Sequence, residues 1–592
     1  MVRDAIHLLL LTAVIISHCG CGKSTTEPSA SPKDQKPATL QVEPETAPIV
    51  EENVSSPIHF TDVTQESGID FTYYGVPSPQ AYMTEQNGGG VAIFDADGDR
   101  IPDVFLTNGS HFEQPAHSRE HSDQFYQGNS DCSFTNTTEK AFLRNFSYGM
   151  GVASGDFDND GFTDLFVACF GQNHLLQNQG DGTFRRITSS VIEAGNEWSC
   201  SPAFADFNGD GLLDLYVVNY VDWISSDPPC NDPEHPKVRR TCSPTSKNAV
   251  ADQLIANNGD LTFDSIGTVS GIANKEIGKG LALGVFDVNN DGALDIYVAN
   301  DTTANSLFLN QGELKFIDAA TEYGVAVSVD GVHGASMGVG IADFDLDGNE
   351  DILVTNFRNQ VNDLYNSLGV AGFAFANTET GLDLSSRSKL AFGTIFRDFN
   401  GDAWPDIFIA NGHIWDLTSL GRQYEYQMTA TILANQNGER FLDVSKHSGG
   451  YFEKKWLGRS VATGDLDNDG DLDLAIQHLE APAGVLRNDS VETPQSIVID
   501  FAGVNSCRTP LGCRVRYSHN ENLIVTHIAS GESFQASHDR RITIPIGSSE
   551  KLDLLEITWP DDRTEQWMDT TVAPGRQYVA VEGGRILSLP PQ

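Results

Sequence analysis

A nine-residue acidic pattern, D-x-[DN]-x-D-G-x-x-D, recurs seven times and constrains this chain more than any other feature. The copies begin at Asp95, Asp156, Asp206, Asp287, Asp343, Asp398 and Asp465, at spacings of 50 to 81 residues. Each follows a run of small and apolar residues, such as GGGVAIF or KGLALGVF, and precedes alternating strand formers such as DLFVAC or DIYVAN. That order is strand, tight loop, strand, which is a β-hairpin. A second hairpin signature follows in most copies (LLQNQGDGTFRRIT, LFLNQGELKFIDA), with no amphipathic helix between. Four strands per unit, repeated at this period, describe a β-propeller. IHFTDVTQESGIDF, at 58–71, copies the last strand of a unit yet precedes the first acidic loop, while the seventh unit lacks that strand after GVLRNDS. The N-terminal strand is therefore expected to complete the last unit and remove the open edges. The fold expected is all-β: a seven-bladed propeller over 58–490, then a small C-terminal β-domain over 495–585.

Charge narrows the partners. Lys and Arg total 37 against 82 Asp and Glu, a formal charge of −45. Such a chain lacks the basic face that phosphate backbones or anionic lipid surfaces require. Cations, basic proteins and neutral glycans remain.

Residues 1–21 read as an export signal. Ala5 to Ile16 is apolar but falls short of the ~20 residues that span a bilayer. In ISHCGCG, Cys21 after Gly20, or Cys19 after His18, resembles the acylated Cys of a bacterial lipobox; ordinary secretion is the alternative. Residues 22–57, rich in Pro, Ser, Thr, Lys and Glu and without an aromatic, read as a disordered tether. The expected location is the cell envelope or surface, with membrane contact only through a lipid.

The acidic loops themselves ask for a cation. Side chains at positions 1, 3 and 5 converge on the concave side of a turn, Gly at position 6 permits the reversal, and position 9 returns an Asp. Oxygen ligands in that number suit Ca²⁺, which takes six to eight at ~2.3–2.6 Å, and no His or Cys stands in the loops for a softer metal. The candidate ligands at these three positions are Asp95, Asp97 and Asp99; Asp156, Asp158 and Asp160; Asp206, Asn208 and Asp210; Asp287, Asn289 and Asp291; Asp343, Asp345 and Asp347; Asp398, Asn400 and Asp402; and Asp465, Asp467 and Asp469. Arg100 and Ala403 replace the turn Gly in two copies, so those loops are expected to bind weakly or stay empty. A structural ion of this kind, saturated by protein, leaves no open position for a substrate.

These repeats resemble the FG-GAP/VCBS repeats of the integrin α-subunit head. YMTEQNGGGVAIFDADGD and the Cys-flanked insertion 220–252 resemble the cartilage acidic protein group and its bacterial relatives. GCRVRY and ASGESFQASHDRRITIPIGSSEKLDLLEITWP resemble the ASPIC/UnbV domain, with Gly531, Gly547, Trp559 and Pro560 at its recurring positions. Where that domain usually reads WPsG this chain reads WPDD, which puts the turn in doubt. The resemblance implies a propeller with up to seven structural Ca²⁺ sites. It also implies that the ninth-position aspartates are the terminal ligands: Asp103, Asp164, Asp214, Asp295, Asp351, Asp406 and Asp473.

Recognition is expected opposite the acidic loops, where the connections 109–124, 220–252 and 412–427 are long and carry His111, Trp223, His413, Trp415, Tyr424 and Tyr426. The alternative is that these loops only cover the hub. Cys230 with Cys242, and Cys507 with Cys513, are close enough to staple loops in an oxidising compartment, while Cys132, Cys169 and Cys200 are either paired or free. HSREH at 117–121 spells an inverted zinc-protease motif without its helix, and no nucleophile elbow or phosphate loop is present. Catalysis is thus unsupported. The function expected is a protein- or glycan-binding, adhesion-type module. The alternatives are a polysaccharide lyase or hydrolase, marked by Arg, Lys, His or Tyr converging near the axis, and a scaffold of a cell-surface complex.

Overall fold

The structure is a computed structural model and describes residues 56–590, apart from 76–77, 111–120, 144–146, 194–196, 274–277, 417–420, 422–423, 491–495 and 520–521. Seven four-stranded antiparallel sheets, each a meander, follow one another along the chain among the described residues. Their first strands are Val91–Phe94, Tyr148–Gly155, Ser199–Ala205, Gly280–Phe286, Val339–Ala342, Ala391–Arg397 and Leu457–Gly464. Each first strand packs against the first strands of the sheets before and after it, and that of the seventh packs against that of the first, so the ring closes. The molecule is all-β and propeller-like.

One register is repeated throughout. Every acidic loop is closed by a pair between the residue before position 1 and the Asp at position 9: Phe94 with Asp103, Gly155 with Asp164, and so on to Gly464 with Asp473. The ninth Asp therefore opens each second strand. Ring closure is carried by Phe60–Asp62, which pairs antiparallel with Gly484–Asn488 as the outermost strand of the seventh sheet. Phe60 is fully buried against Phe399 and Phe452, so the closing strand is anchored by packing as well as by its ladder.

The C-terminal residues form two further four-stranded sheets. Ser496–Ala502 lies between Ile542–Pro545 and Gln577–Val581 in one, and Arg514–His519 lies between Asn522–His527 and Lys551–Thr558 in the other. Their core, built on Ile497, Ile499, Val515, Leu555 and Trp559, is continuous with Phe157, Phe204 and Leu213 of the second and third sheets. The C-terminal domain is thus docked on the propeller rather than set apart from it. In the WPDD turn Asp562 takes φ 64°, the left-handed conformation that Gly adopts at least cost.

Candidate functional site

The acidic loops share one internal geometry. In the second sheet Asp156 accepts the amide of Asp160 at 3.0 Å and that of Gly161 at 2.9 Å, which pins both of its oxygens inside the turn. The same two-oxygen clamp recurs at Asp206, Asp287 and Asp343. Carboxylate oxygens of Asp156, Asp158 and Asp164 lie within 4.8 Å of one another, as do those of Asp95, Asp97 and Asp99, and of Asp343, Asp345 and Asp347. Burial pushes Asp156 up to about 6 and Asp164 up to about 9, and the neighbouring aspartates push the same way. Like charges held this close out of water favour a cation among them.

Position 6 takes φ 85–100° where it is Gly161, Gly211, Gly292, Gly348 or Gly470, and 71° and 74° where it is Arg100 or Ala403. The turn survives the two replacements, at the strain that a Cβ brings there. Position 4 is left-handed as well, occupied by Gly98, Gly209, Gly401, Asn159, Asn290, Asn468 and, without the usual excuse, Leu346 at 56°. The alternation of Gly and Asn at that position was a readable signal.

The ninth-position aspartates are buried and already serve the backbone. In all seven sheets one oxygen accepts an amide from the third strand, for example that of Asn178 at 2.7 Å and that of Asn488 at 2.7 Å. The other accepts the amide at position 2, as from Phe157 to Asp164 at 3.0 Å. In Asp214 that second contact, from the Phe207 amide, is too loose to satisfy the buried oxygen. Asp465 Oδ1 is buried with no hydrogen-bond partner at all. Buried carboxylate oxygens with nothing to accept, beside further oxygens, form a donor set of the kind a hard cation takes. The donor set fits Ca²⁺.

Five sheets carry a residue that sequence reasoning passed over. Asn178, Asn257, Asn310, Asn435 and Asn488 each donate Nδ2 to position 8 of their own loop and to position 2 of the preceding sheet's loop. Asn310, for instance, reaches Leu294 O at 3.1 Å and Phe207 O at 2.8 Å. Each side chain ties one acidic loop to the next. The signal was present in LLQN, LIAN, LFLN, ILAN and VLRN, with FYQG and LYNS as exceptions.

The C-terminal domain covers the acidic-loop face. Arg508 N donates to Asn159, an Arg514 guanidinium N–H to Gly348 O at 2.6 Å, and Arg541 and Gln577 to Asn468 at 3.0 and 2.6 Å. From this domain residues 529–539 enter the hub and touch the first strand of every sheet. Ile93 donates to Ser537 O (3.0 Å), Val152 to Gln535 O (3.4 Å) and Val285 to Ser530 O (3.2 Å). Ser530 Oγ bonds Phe204 O, Ser533 donates to Val339 O and Asp539 to Thr463 O, while Arg397 of the sixth sheet pairs with Glu532 at 2.9 Å. Ser533, Phe534 and Gln535 are wholly buried. Gly90 explains part of the Gly-rich first strands: a Cβ there would stand 2.3 Å from Gln535 O. His527 bridges Glu350 (2.5 Å) and Glu532 (2.8 Å) beneath the inserted segment.

The residues expected to face a partner divide. Trp223 is buried among Phe170, Trp198 and Tyr82, and His413 is buried under Tyr424, stacked at 4.5 Å. Both rings turn inward, Trp223 into the core cluster of Trp198 and Tyr220 and His413 against Phe357. Trp415, Tyr424 and Tyr426 are partly exposed. Arg240 of the insertion lies over Trp415 at 5.3 Å and Arg358 over Tyr424 at 5.3 Å. His111 falls outside the described residues, as do Cys19, Cys21 and all of HSREH except His121, whose ring stacks on Tyr74. Cys230 and Cys242 form a disulfide. The bridge expected between Cys507 and Cys513 is absent: both are buried thiols, and Cys507 turns its S–H to the Thr509 carbonyl at 3.4 Å. Cys132, Cys169 and Cys200 are buried free thiols too.

Comparison with known proteins agrees with this architecture. The FG-GAP-like repeat matches residues 95–167, 156–217, 287–354 and 398–476, and the ASPIC and UnbV family matches 503–586. Human cartilage acidic protein 1 is 25% identical over 338 residues, covering 55% of this chain and 47% of the relative; the mouse protein is 25% identical, covering 52% and 45%. The chain thus spans about half the length of the curated relatives it matches. Among solved structures, the BP39L lectin of Burkholderia pseudomallei is similar at TM-score 0.41 and 12% identity, covering 66% of this chain and 92% of the lectin. YCF48 bound to D1 peptide follows at TM-score 0.39 and 7% identity, covering 73% and 94%. The chain thus carries FG-GAP-like repeats followed by an ASPIC and UnbV domain, and over about half its length it is similar to cartilage acidic protein 1.

Proposed function

We propose that the chain is a seven-bladed β-propeller, stabilised by Ca²⁺ in its acidic loops, that binds a protein or polysaccharide through the face remote from those loops. In this reading it is exported and held at the cell envelope by a lipid on Cys21 or Cys19. The observation that carries the proposal is the placement of the C-terminal domain, which occupies the acidic-loop face and fills the axis. A partner is then left with the opposite face, where Arg240, Trp415, Arg358 and Tyr424 offer flat rings flanked by guanidinium groups. Such pairs suit sugar faces and the acidic or hydroxyl groups of a glycan or protein. In each loop the side chains at positions 1, 3, 5 and 9 would hold the ion, with Ca²⁺ supplying charge neutralisation and no reaction chemistry.

The test is a glycan and protein array probed with the full chain in Ca²⁺. Trp415→Ala with Arg240→Ala should abolish the hits while leaving the unfolding midpoint in Ca²⁺ unchanged. Hits that persist in this double variant would place the binding surface elsewhere.

A second reading, a polysaccharide lyase or hydrolase, is favoured by one observation. Arg358, Arg459, His413 and Tyr424 converge at the hub, and burial, with help from the two arginines, pushes His413 down to about 4. Incubation with acidic polysaccharides, followed by chromatography for shortened chains, separates the two readings: His413→Ala must stop cleavage for the enzyme reading to hold.

A further inference from the structure

The seventh acidic loop differs from the other six in three ways. It spells DLDNDGDLD, so position 7 is an acid, Asp471, where the other loops have Ile101, Phe162, Leu212, Ala293, Asn349 and Trp404. Asp465, only 2% exposed, uses Oδ2 to accept Gly470 N at 3.1 Å but leaves Oδ1 buried and unpartnered, whereas the first Asp of every other loop pairs both oxygens with backbone amides. And a thiol joins it from another sheet. Cys132, on the turn between Gln124–Gly128 and Phe134–Asn136 of the first sheet, is 1% exposed, with Sγ 3.7 Å from Asp473 Oδ2. Cys132 Sγ and carboxylate oxygens of Asp467 and Asp473 all lie within 4.8 Å of one another.

We propose that this loop and Cys132 form a mixed sulfur and oxygen site for a thiophilic divalent cation of the Zn²⁺ class, unlike the all-oxygen loops elsewhere. The proposal rests on reading the acidic loops as cation sites. A carboxylate cluster alone suits a hard ion, and a thiolate shifts the preference toward Zn²⁺ or Cd²⁺. The nearby cations offset the cluster only in part: Arg487 and Arg541 act on it from a distance, but each is paired with another carboxylate, Asp489 at 2.9 Å and Asp539 at 2.6 Å. On binding, the Cys132 S–H bond breaks, a metal–sulfur bond forms and the proton passes to solvent; nothing is oxidised or reduced. Zn–S near ~2.3 Å and Zn–O near ~2.0–2.2 Å bring such ligand atoms together with little movement. The location gives the ion a task. It bridges the first and seventh sheets, at the seam where Phe60–Asp62 completes the ring, so binding there staples the closure.

The test titrates Cd²⁺ into the full chain in excess Ca²⁺ and follows the thiolate-to-cadmium charge-transfer band in the ultraviolet. One equivalent should develop the band; Cys132→Ser should abolish it, and Cys169→Ser, which alters a buried thiol of the second sheet, should not. Asp467→Asn should weaken Cd²⁺ at least tenfold. No band in the unaltered chain, or a band that survives Cys132→Ser, overturns the proposal. X-ray absorption at the zinc edge on unaltered protein covers the case in which a variant does not fold: one sulfur neighbour supports the site, and oxygen or nitrogen alone overturns it. A Ca²⁺-dependent rise in unfolding midpoint without a sulfur-bound metal removes this site and leaves the calcium reading standing. A sulfur-bound metal without that rise supports this site and removes the calcium reading of the other loops.

Discussion

Replacing Phe534 by Ala tests whether the C-terminal segment in the hub holds the propeller together. Phe534 is fully buried, meets Phe392 edge-on at 5.1 Å and belongs to the same core cluster as Met150, Trp198 and Met337, which come from different sheets. Truncating a buried Phe to Ala costs about 3–5 kcal/mol through lost burial and the cavity left behind. A stability of about 5–15 kcal/mol makes that a large share of the total. With a urea dependence of about 3 kcal/mol/M, the midpoint falls by roughly 1–1.7 M. The assay follows urea unfolding by far-ultraviolet circular dichroism and by indole fluorescence, because Trp198 and Trp223 sit in the hub and Trp559 in the C-terminal core. Both signals should shift together, since the inserted segment bonds every sheet. Val504→Ala, at a side chain 66% exposed in the same domain, should leave the midpoint unmoved. An unchanged midpoint in Phe534→Ala, or a shift confined to one of the two signals, would refute the idea that hub and C-terminal domain unfold as one.

Three other outcomes are expected. Asn310→Ala strands the buried carbonyls of Phe207 and Leu294; it should cost about 1–3 kcal/mol in the same urea assay, whereas Asn258→Ala, on an exposed turn, should cost little. Although burial opposes it, Glu350 and Glu532 hold His527 up at about 9 from an ordinary value near 6.5. A raised pKa contributes its full stability below the unfolded value and loses it as pH climbs through the folded one, so the midpoint should decline between about pH 6.5 and 9, and His527→Gln should flatten that slope. Ala403→Gly removes a Cβ from φ 74° and should stabilise the sixth loop by about 0.5–1 kcal/mol, read as a higher midpoint in chelator; a lower midpoint would mean that the turn is not strained.

The repeating parts of this molecule were legible because they obey local rules. Alternating strand formers on both sides of each acidic loop give the hairpins, and the displaced strand at 58–71 announces ring closure by its resemblance to the strand missing at the far end. Other features depend on what lies across the fold. Nothing local in GESFQASHDRR says that Ser533 to Gln535 will lie wholly buried in the hub, although Gly90 fits its close approach once it is known. The Asn side chains that tie loop to loop were visible as a recurring letter, but their second partner belongs to the preceding sheet. Trp223 and His413 looked like display residues because long loops usually carry them outward; neighbouring rings, Phe170 and Trp198 for the first and Phe357 and Tyr424 for the second, draw them in. Cys507 and Cys513 satisfied the spacing of a bridge, yet the Cys507 thiol turns to a backbone acceptor. The whole N-terminal expectation, from the export signal to Cys21, lies outside the described residues.

The most direct test of the account is thermal unfolding of the chain from Lys23 onward in Ca²⁺, in Mg²⁺ and in chelator, with bound metal measured alongside. Aspartates crowded in buried loops should gain far more from an ion of the right size than from general screening. The account predicts a large rise in midpoint specific to Ca²⁺, with several equivalents bound. An identical midpoint in all three conditions, with no calcium retained, would contradict it and leave the seven loops as metal-free turns.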